Sequence, residues 1–537
     1  MRKLLYTILF MFLFLTISYA EMPVRNDIAE LGSIKNSFSN FYTLHKTTTF
    51  RPSQPQTYIS TEGHFKIHYS TTGNDAVPTE ITNSDGVPDW IYYAAQYAER
   101  AYFVLVDSMG FDAPPPDGVD GDEYDIYFKE YNGSYYANTY PENDVETTSR
   151  PNDYTTYLVV DNDFVENSYE THGYEALRVT IAHEFFHMVQ IGYNFDTSNY
   201  LSPMSAGDAF FFEWSSTWFE EFSYPEVNDY VAYAKNFMFA VDSPIWTYNG
   251  SFEYAQGIFM KYIIDTYSTD ILIKSWNKIK NGERAFFAIN DVIKDETNTT
   301  LAELYNEYCQ KMYFAGSKYD PQLSVSEDAQ FFPSMQIHWS DEYVFNSTLQ
   351  VTDFIRQFTT QPLHVTFENY QNFGLLKDSK FSKELLGSYI FNKNGKYITA
   401  QFDLNSDEFI GKCSPGDTLI LFLTNKDENQ TIEFDIALDF VEPANLFAFT
   451  NLFPNPTDGS GNLNLTISTK SIDDEINIMI YNLIGQKIFS EKYLPNSENQ
   501  YIISFQNDIN YPLASGIYIL QVESGNKSKT KKFTILK

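Results

Sequence analysis

The sequence is poor in cysteine and in positive charge, and these two shortages exclude several classes of protein. Only two cysteines, Cys309 and Cys413, occur among 537 residues. They cannot form a disulfide framework or a four-thiolate zinc site, although one bridge or two separate buried thiols both stay open. Lysine and arginine number 36 against 71 acidic residues, a net charge of −35. This balance argues against a nucleic-acid partner, because a phosphate backbone must be met by clustered basic side chains.

Long hydrophobic runs are also scarce, and the longest spans residues 4–17 at the N-terminus. Two basic residues precede this run and Ser18-Tyr19-Ala20 follows it, so we predict a cleaved signal peptide over residues 1–20. The run is shorter than the about 20 apolar residues that a membrane anchor needs. We therefore expect an exported protein whose mature chain has no transmembrane segment.

The rest of the composition is typical of a globular protein with several domains. Hydrophobic residues make up 43% and charged residues 20% of the chain, which excludes wholesale disorder. At about 150 residues per domain, the length predicts roughly three to four domains. From Leu446 onward eight lysines balance eight acidic residues, so the acidity lies in the preceding chain. The neutral tail indicates a separate module.

Hydrophobic periodicity predicts a mixed α and β region followed by β modules. Gly192 is a good stop for the second of the predicted helices. The helices are predicted over residues 90–109, 175–191, 210–222, 254–267 and 301–314, and early strands over 63–69, 124–128 and 157–160. Beyond residue 321 short alternating runs predict a β-sandwich, and another short-strand module follows residue 443. The fold class is therefore α+β.

The most informative segment is His183-Glu184-Phe185-Phe186-His187. On a helix, residues four apart lie on one face, so two neutral imidazoles can bind one Zn²⁺. Glu184 projects from the same turn and can act as the general base toward a water that the metal activates. The segment lies inside a predicted helix with apolar neighbours, as a buried active-site helix would. We therefore predict His183 and His187 as metal ligands.

A tetrahedral zinc site needs a third protein ligand, and no further histidine follows at the metzincin spacing. The next predicted helix supplies Glu213, Thr217 and Glu220 on one face, at i, i+4 and i+7. We predict Glu213 as the third ligand. Glu220 is the alternative, or a partner that orients a histidine.

These motifs resemble a family of secreted bacterial gluzincin-type metalloproteases. The resemblance rests on AHEFFHMVQ (182–190), EWSSTWFEE (213–221), YPEVNDY (224–230) and, earlier, GHFKIHY (63–69), DGVPD (85–89) and YDIY (124–127). Glu213 begins a run similar to the gluzincin box that carries the third ligand, with Trp214 and Ser216 in place of Gly and Ala. The resemblance implies a zincin-like metalloprotease domain, here residues 62–320. Residues 21–61 would be a lead-in or a pro-segment.

Stabilising the transition state also requires a hydrogen-bond donor for the oxyanion. Tyr254 begins a helix that resembles one packed behind the site in this superfamily, and we predict it as a catalytic residue. His172 and Tyr193 are rivals for this role.

Two acidic loops could gather oxygen ligands for Ca²⁺, although solvated acidic turns are the simpler interpretation. The loops contain Asn83, Asp85 and Asp89, and separately Asp117, Asp120, Asp122 and Asp125.

The C-terminal segment resembles the C-terminal sorting domain of the type IX secretion system. The similarity rests on NLFPNP (451–456), LIGQ (483–486), LASGIY (513–518) and KTKKFTILK (529–537). The domains then follow as a β-sandwich over residues 321–442 and a β-sandwich sorting domain over 447–537. The resemblance implies recognition by the outer-membrane secretion machinery and a secreted or surface location.

The function predicted from these motifs is that of an exported zinc metalloendopeptidase, acting on proteins or peptides, with Glu184 as general base. One alternative is an inactive surface binding or adhesion protein on a protease scaffold, but the intact Glu184 argues against it. The other is a zinc hydrolase with a non-protein substrate, because fold and metal do not fix the substrate.

Overall fold

The computed structural model has both helices and sheets, as the α+β prediction requires, in two compact units. One unit comprises residues up to Phe237 together with Trp246–Asn298, and the other comprises Met238–Ile245 together with Thr299–Lys537. The predicted signal peptide (1–20) and residues 21–50 of the predicted lead-in lie outside the described residues. The structure describes residues 51–145, 150, 152–196, 208–346, 348–376, 383–402, 408–440, 448–453, 455, 457, 462–468, 476–493, 500–504, 513–524 and 527–537.

The first unit contains a five-stranded sheet in the order β1-β2-β3-β5-β4. Its strands are β1 (Gln56–Ile59), β2 (Phe65–Tyr69), β3 (Tyr124–Lys129), β4 (Ala137–Asp144) and β5 (Tyr154–Asp161). Strands β2, β3 and β5 are parallel, whereas β1 and β4 pair antiparallel at the two edges. The central strands β3 and β5 are buried almost throughout, as expected for parallel strands covered on both faces.

The described part of the first unit also contains eight α-helices, of which the first two pack on this sheet. They are α1 (Asp89–Tyr102), α2 (Gly173–Tyr193), α3 (Ala209–Ser223), α4 (Ala234–Met238), α5 (Phe252–Ala255), α6 (Gly257–Thr266), α7 (Asp270–Lys280) and α8 (Ala285–Glu296). Helix α2 contacts strands β4 and β5 as well as helices α1 and α3. Because it is apolar on every side, nearly all its residues after Glu175 are buried. No helix in the described ranges is long and apolar enough to cross a membrane.

The structure differs from the sequence prediction at several places in this unit: β1, α4, α7 and α8 were not predicted, and α1 ends at Tyr102 within the helix predicted over residues 90–109. Three further differences lie closer to the predicted ligands. Gly192 does not stop helix α2, which continues to Tyr193; a β-carbon at Gly192 would lie 2.6 Å from Cδ of Pro115, so the glycine permits a close approach instead. The helix predicted over residues 254–267 is two helices, α5 and α6, separated at Gln256. Strand β4 was not predicted, because its sequence is polar and contains a proline, which an edge strand tolerates.

Apart from Met238–Ile245, the second unit begins with helix α9 (Leu301–Met312) and continues as sheets. The helix contacts strands of a β-sandwich, although it was predicted as part of the preceding domain. Five strands form one sheet in the order β11-β10-β13-β8-β6, and four form the other in the order β12-β9-β14-β7. They are β6 (Glu342–Phe345), β7 (Leu349–Ile355), β8 (Thr360–Phe367), β9 (Gln371–Leu376), β10 (Leu385–Lys393), β11 (Lys396–Gln401), β12 (Glu408–Cys413), β13 (Thr418–Asn425) and β14 (Ile432–Phe440). Cys309 and Cys413 are both buried, and no disulfide joins them.

The C-terminal segment is also all β, with sheet orders β15-β16-β19 and β18-β17-β20-β21. Its strands are β15 (Ala448–Phe453), β16 (Asn462–Ser468), β17 (Ile476–Asn482), β18 (Lys487–Tyr493), β19 (Gln500–Ser504), β20 (Gly516–Ser524) and β21 (Lys527–Ile535). A small apolar core that includes Ile478, Leu520 and Phe533 lies in this segment. This arrangement is the β-sandwich-like C-terminal region that the alternating pattern predicted.

Candidate metal centre

Helix α2 places the two predicted histidine ligands one turn apart in the interior. The rings of His183 and His187 have centroids 4.7 Å apart at an angle of 75°, and both side chains are fully buried. Helix α3 crosses beside α2 and brings in Glu213, which is also fully buried. Its Oε2 lies 3.3 Å from Nε2 of His183 and 3.7 Å from Nε2 of His187. The three predicted ligands therefore converge on one point.

Glu220 occupies a different place from Glu213. Its Oε1 accepts a hydrogen bond of 2.5 Å from Nδ1 of His183, on the side of the ring away from Nε2. Since a carboxylate only accepts, this contact assigns the proton of the imidazole to Nδ1 and leaves the lone pair of Nε2 directed toward Glu213. The sequence left Glu220 open as either the third ligand or a partner that orients a histidine. In this geometry Glu213 lies between the two Nε2 atoms, and Glu220 contacts the far side of the His183 ring.

Gln190 performs the same task for the second histidine, and sequence reasoning missed it. Its Oε1 accepts from Nδ1 of His187 at 2.6 Å. Its Nε2 in turn donates to the carbonyl of Phe212 at 3.1 Å and to Oγ of Ser216 at 3.2 Å. The signal was available, because Gln190 follows His187 by three residues and so shares its helix face.

Glu184, the predicted general base, is fully buried beside the histidines. Its Oε2 accepts a hydrogen bond of 2.6 Å from Oγ1 of Thr139, which also contacts the Glu184 carbonyl at 3.1 Å. Thr139 lies on the edge strand β4 and was not foreseen, because nothing in its local sequence indicates where that strand lies. Burial raises the pKa of Glu184 to about 8.

Among the three candidates for the oxyanion donor, Tyr254 has a ring contact with a predicted ligand, and its catalytic role stays a prediction. Its ring is stacked on that of His183 with centroids 6.2 Å apart, and on Tyr233 at 5.2 Å. His172 is exposed at the start of α2, where Nε2 lies 3.1 Å from the carbonyl of Glu166. The hydroxyl of Tyr193 accepts a hydrogen bond of 2.9 Å from the backbone of Asp112.

The electrostatics of the centre favour a positive charge next to Glu213. Burial opposes a charge on His183, but the carboxylates of Glu213 and Glu220 outweigh it and raise the pKa of His183 to about 10. Burial likewise opposes a charge on Glu213, but the two adjacent histidines outweigh it and lower the pKa of Glu213 to about 2. A buried carboxylate that stays ionised needs a cation beside it, and either a proton on a histidine or a metal ion meets that need.

Two buried polar atoms at the centre add to this fit. Within the described residues, Nε2 of His183 and Oε1 of Glu184 are enclosed and have no hydrogen-bond partner. A buried polar atom without a partner costs about 1–3 kcal/mol, so native structures rarely keep one without a reason. A metal ion ligated by His183, His187 and Glu213 would account for the first atom, and a water beside it for the second.

Several of the acidic side chains considered for Ca²⁺ are engaged in hydrogen bonds within the first loop and in ion pairs with Arg51 in the second. Oδ1 of Asn83 accepts from the backbone of Asp85, and Asn83 donates to Asp89 at 2.6 Å. In the second loop, Asp117 and Asp125 both pair with the guanidinium of Arg51. Besides His183, His187 and Glu213, one other set of possible metal ligands converges in the described chain. It consists of Glu130, Asp161 and Glu166, and it was not predicted. Calcium binding by the loops stays a prediction.

Comparison with family models assigns the C-terminal segment. A model described as the secretion system C-terminal sorting domain matches residues 451–536. The chain therefore carries a type IX secretion sorting tail, which implies interaction with that machinery and a location at the cell surface or outside, as the sequence predicted. A second model, described as a family of unknown function (DUF6055), matches residues 56–321, which contain the candidate centre. Its description names no activity.

Solved structures resemble only parts of this chain. PorZ, a surface component of the type IX secretion system of Porphyromonas gingivalis, is 12% identical with a TM-score of 0.14, over 22% of this chain and 15% of its own. PliG of Escherichia coli, a periplasmic inhibitor of g-type lysozyme solved as a mutant, is 10% identical with a TM-score of 0.14, over 19% and 98%. Latent PorU of Porphyromonas gingivalis is 13% identical with a TM-score of 0.17, over 36% and 19%. No curated protein matches the chain.

Proposed function

We propose that the first unit is a zincin-like domain and that the protein is an exported zinc metalloendopeptidase. The observation that carries the proposal is the convergence of Glu213 Oε2 with the Nε2 atoms of His183 and His187, 3.3 and 3.7 Å away. Glu184 lies on the same helical turn as these histidines. Two imidazoles and one carboxylate, with a position left open, form a common ligand set of catalytic zinc.

Zinc suits this ligand set better than Ca²⁺ or Mg²⁺, which take oxygen ligands. When bound, zinc would lower the pKa of a water toward neutrality and polarise a substrate carbonyl. Glu220 and Gln190 would hold the two imidazoles in the orientation and tautomer that ligation requires, because each accepts the Nδ1 proton of one ring.

Glu184 would act as the general base and then as the acid. Thr139 occupies its Oε2, so Oε1 is the atom available to take a proton from the attacking water and to return it to the leaving amine. Tyr254, stacked against His183, is the candidate hydrogen-bond donor to the oxyanion.

The edge strand β4 supports a peptide as the substrate. In the described sheet β4 pairs with β5 alone, and the half of β4 from Tyr140 onward is partly exposed, so this half can accept an extended chain by backbone hydrogen bonds. Thr139, in the buried half of this strand, contacts Glu184. A peptide paired with the exposed half would therefore lead toward the proposed catalytic carboxylate, whereas a small amide would make no use of the edge.

The test compares the purified wild type with Glu184→Ala in metal content and in casein hydrolysis. We expect about one zinc per chain in both proteins and hydrolysis in the wild type alone, because Glu184 moves protons and does not ligate. Full activity of the variant would contradict the mechanism. A wild type that binds zinc but cleaves no protein would favour a non-protein substrate, and one that binds no zinc would favour a surface binding protein.

A further inference from the structure

A broad cleft of about 1220 Å³ lies in the first unit and contains none of the predicted ligands of the metal centre. Helix α1 forms one wall of this cleft. The core side of the helix carries Trp90 at its start and is otherwise made by small and aliphatic residues: Ile91, Ala94, Ala95, Ala98 and Ala101. Four tyrosines of the helix line the cleft instead: Tyr92, Tyr93, Tyr97 and Tyr102. Large aromatic side chains are usually buried in preference to alanine. The exposure of these tyrosines therefore needs a reason other than packing.

The aromatic wall is held rigidly. Tyr93 contacts the rings of Tyr92, Tyr97 and Tyr174 at centroid distances between 5.4 and 6.2 Å, yet 42% of its surface stays exposed. Phe103, just after the helix, also lines the cleft and is 60% exposed. Rings fixed by their neighbours can bind a ligand without losing rotamer entropy.

Beside this wall, three polar side chains carry atoms that nothing in the described chain satisfies. They are Nε of Arg178, Oγ of Ser223 and the hydroxyl of Tyr224, all buried and all belonging to residues that line the cleft. Ser223 and Tyr224 are 3% and 6% exposed. The guanidinium groups of Arg100 and Arg178 lie 5.3 and 5.2 Å from the Tyr224 ring centroid, which fixes that ring. Unsatisfied polar atoms are costly to keep, and a ligand that draws the side chains of Ser223 and Tyr224 toward the cleft would offset this cost.

We propose that this cleft binds a neutral oligosaccharide. Sugar hydroxyls both donate and accept, and the cleft offers the guanidinium of Arg100 and the carboxylates of Glu62 and Asp107, beside an ion pair of 2.7 Å between Arg178 and Glu226. The apolar faces of sugar rings pack against aromatic side chains such as Tyr93. An anionic ligand would meet those carboxylates and a chain of net charge −35. The cleft exceeds the about 300–1,000 Å³ that hold drug-sized ligands, which favours a chain of several sugars.

The test is calorimetric titration of the full chain, and it does not depend on the proposed metal chemistry. Cellohexaose, xylohexaose and chitohexaose stand for polysaccharides, and a released high-mannose N-glycan stands for a glycoprotein source. Hexagalacturonic acid is the charged counterpart, and a tryptic digest of casein is the peptide counterpart. We expect at least one neutral sugar to bind, and neither counterpart to bind. Which neutral probe binds identifies the source.

Variants connect binding to the named side chains. Tyr93→Ala should weaken binding by about tenfold, the usual effect of removing an aromatic anchor. Tyr224→Phe removes only an unsatisfied hydroxyl, so it should weaken binding several-fold while leaving the melting temperature unchanged or raised. Tyr370→Ala, at a tyrosine 75% exposed in the second unit, is the matched control and should bind as the wild type does. Failure of every neutral sugar to bind, tighter binding of either counterpart, or wild-type affinity in both cleft variants would overturn the proposal.

Discussion

Replacing Glu213 and Glu220 in turn by glutamine would show which of them is the proposed third zinc ligand and which one orients a histidine. Glu213→Gln removes the charge from the oxygen that lies near both Nε2 atoms. Glu220→Gln keeps an oxygen that can still accept from Nδ1 of His183. The first change therefore removes the anionic ligand, whereas the second weakens one supporting hydrogen bond.

The magnitudes follow from sharing the binding energy among the ligands. Structural zinc sites bind with about 10–16 kcal/mol through four protein ligands, so each ligand contributes roughly 2.5–4 kcal/mol. Loss of the Glu213 charge should then raise the zinc dissociation constant by about 10²–10³-fold. Loss of the Glu220 charge should raise it by about tenfold, the lower end of the effect of an outer partner, because an acceptor remains.

The assay is competition between the purified apoproteins and a fluorescent zinc chelator at constant pH. Glu221→Gln is the matched control, since it makes the same change on the same helix, and it should bind zinc as the wild type does. Circular dichroism of each apoprotein checks that the fold persists. A larger loss of affinity in Glu220→Gln than in Glu213→Gln would refute the assignment, as would unchanged affinity in both.

Three further substitutions test the surroundings of the centre. Gln190→Ala should raise the zinc dissociation constant by about 10–100-fold in the same competition assay, because the second histidine loses the acceptor of its Nδ1 proton. Thr139→Val keeps the shape of the side chain but removes the donor to Glu184, so kcat on casein should fall by about tenfold with zinc content unchanged. Gly257→Ala would place a β-carbon 2.7 Å from Cβ of Thr217, so it should lower the free energy of unfolding by about 1–3 kcal/mol in urea titration. Unchanged values in these three assays would contradict the corresponding contacts.

Helix α2 was predictable from the sequence because its signals are local. Periodicity predicted residues 175–191, and the helix spans Gly173–Tyr193. The spacing of His183 and His187 then fixed their common face without knowledge of any other element. Local spacing could also name Glu213 and Glu220 as candidates on one face of the next helix. It could not choose between them, because that choice depends on how the two helices cross.

The elements that were predicted wrongly depend on contacts between segments that are distant in sequence. Gly192 carries the local signal of a helix end, but Pro115, far away in sequence, lies against it and the helix continues. Gly257 sits close to Thr217 across a helix pair, and the predicted helix is divided just before it. Strand β4 has no hydrophobic alternation to reveal it, so Thr139 could not be connected with Glu184 until both were placed.

The proposed metal centre lies on α2 and α3, and the side of the cleft opposite α1 is formed by residues of these two helices and of the chain after α3, which constrains how a substrate could use both. Arg178 precedes His183 on α2 by five residues, about 7.5 Å along the helix axis, and Tyr224 follows Glu220 by four, about 6 Å. The backbone N–H of Tyr224 donates to the carbonyl of Glu220 at 2.9 Å, so the end of α3 is firmly attached to the residue that orients His183. A sugar bound at Arg178 and Tyr224 would therefore contact the same part of the chain that carries the proposed zinc ligands. Under both proposals, a glycan in the cleft would restrict which peptide bonds of an attached chain can reach Glu184, so sugar recognition would act on cleavage-site selection and not on the chemical step.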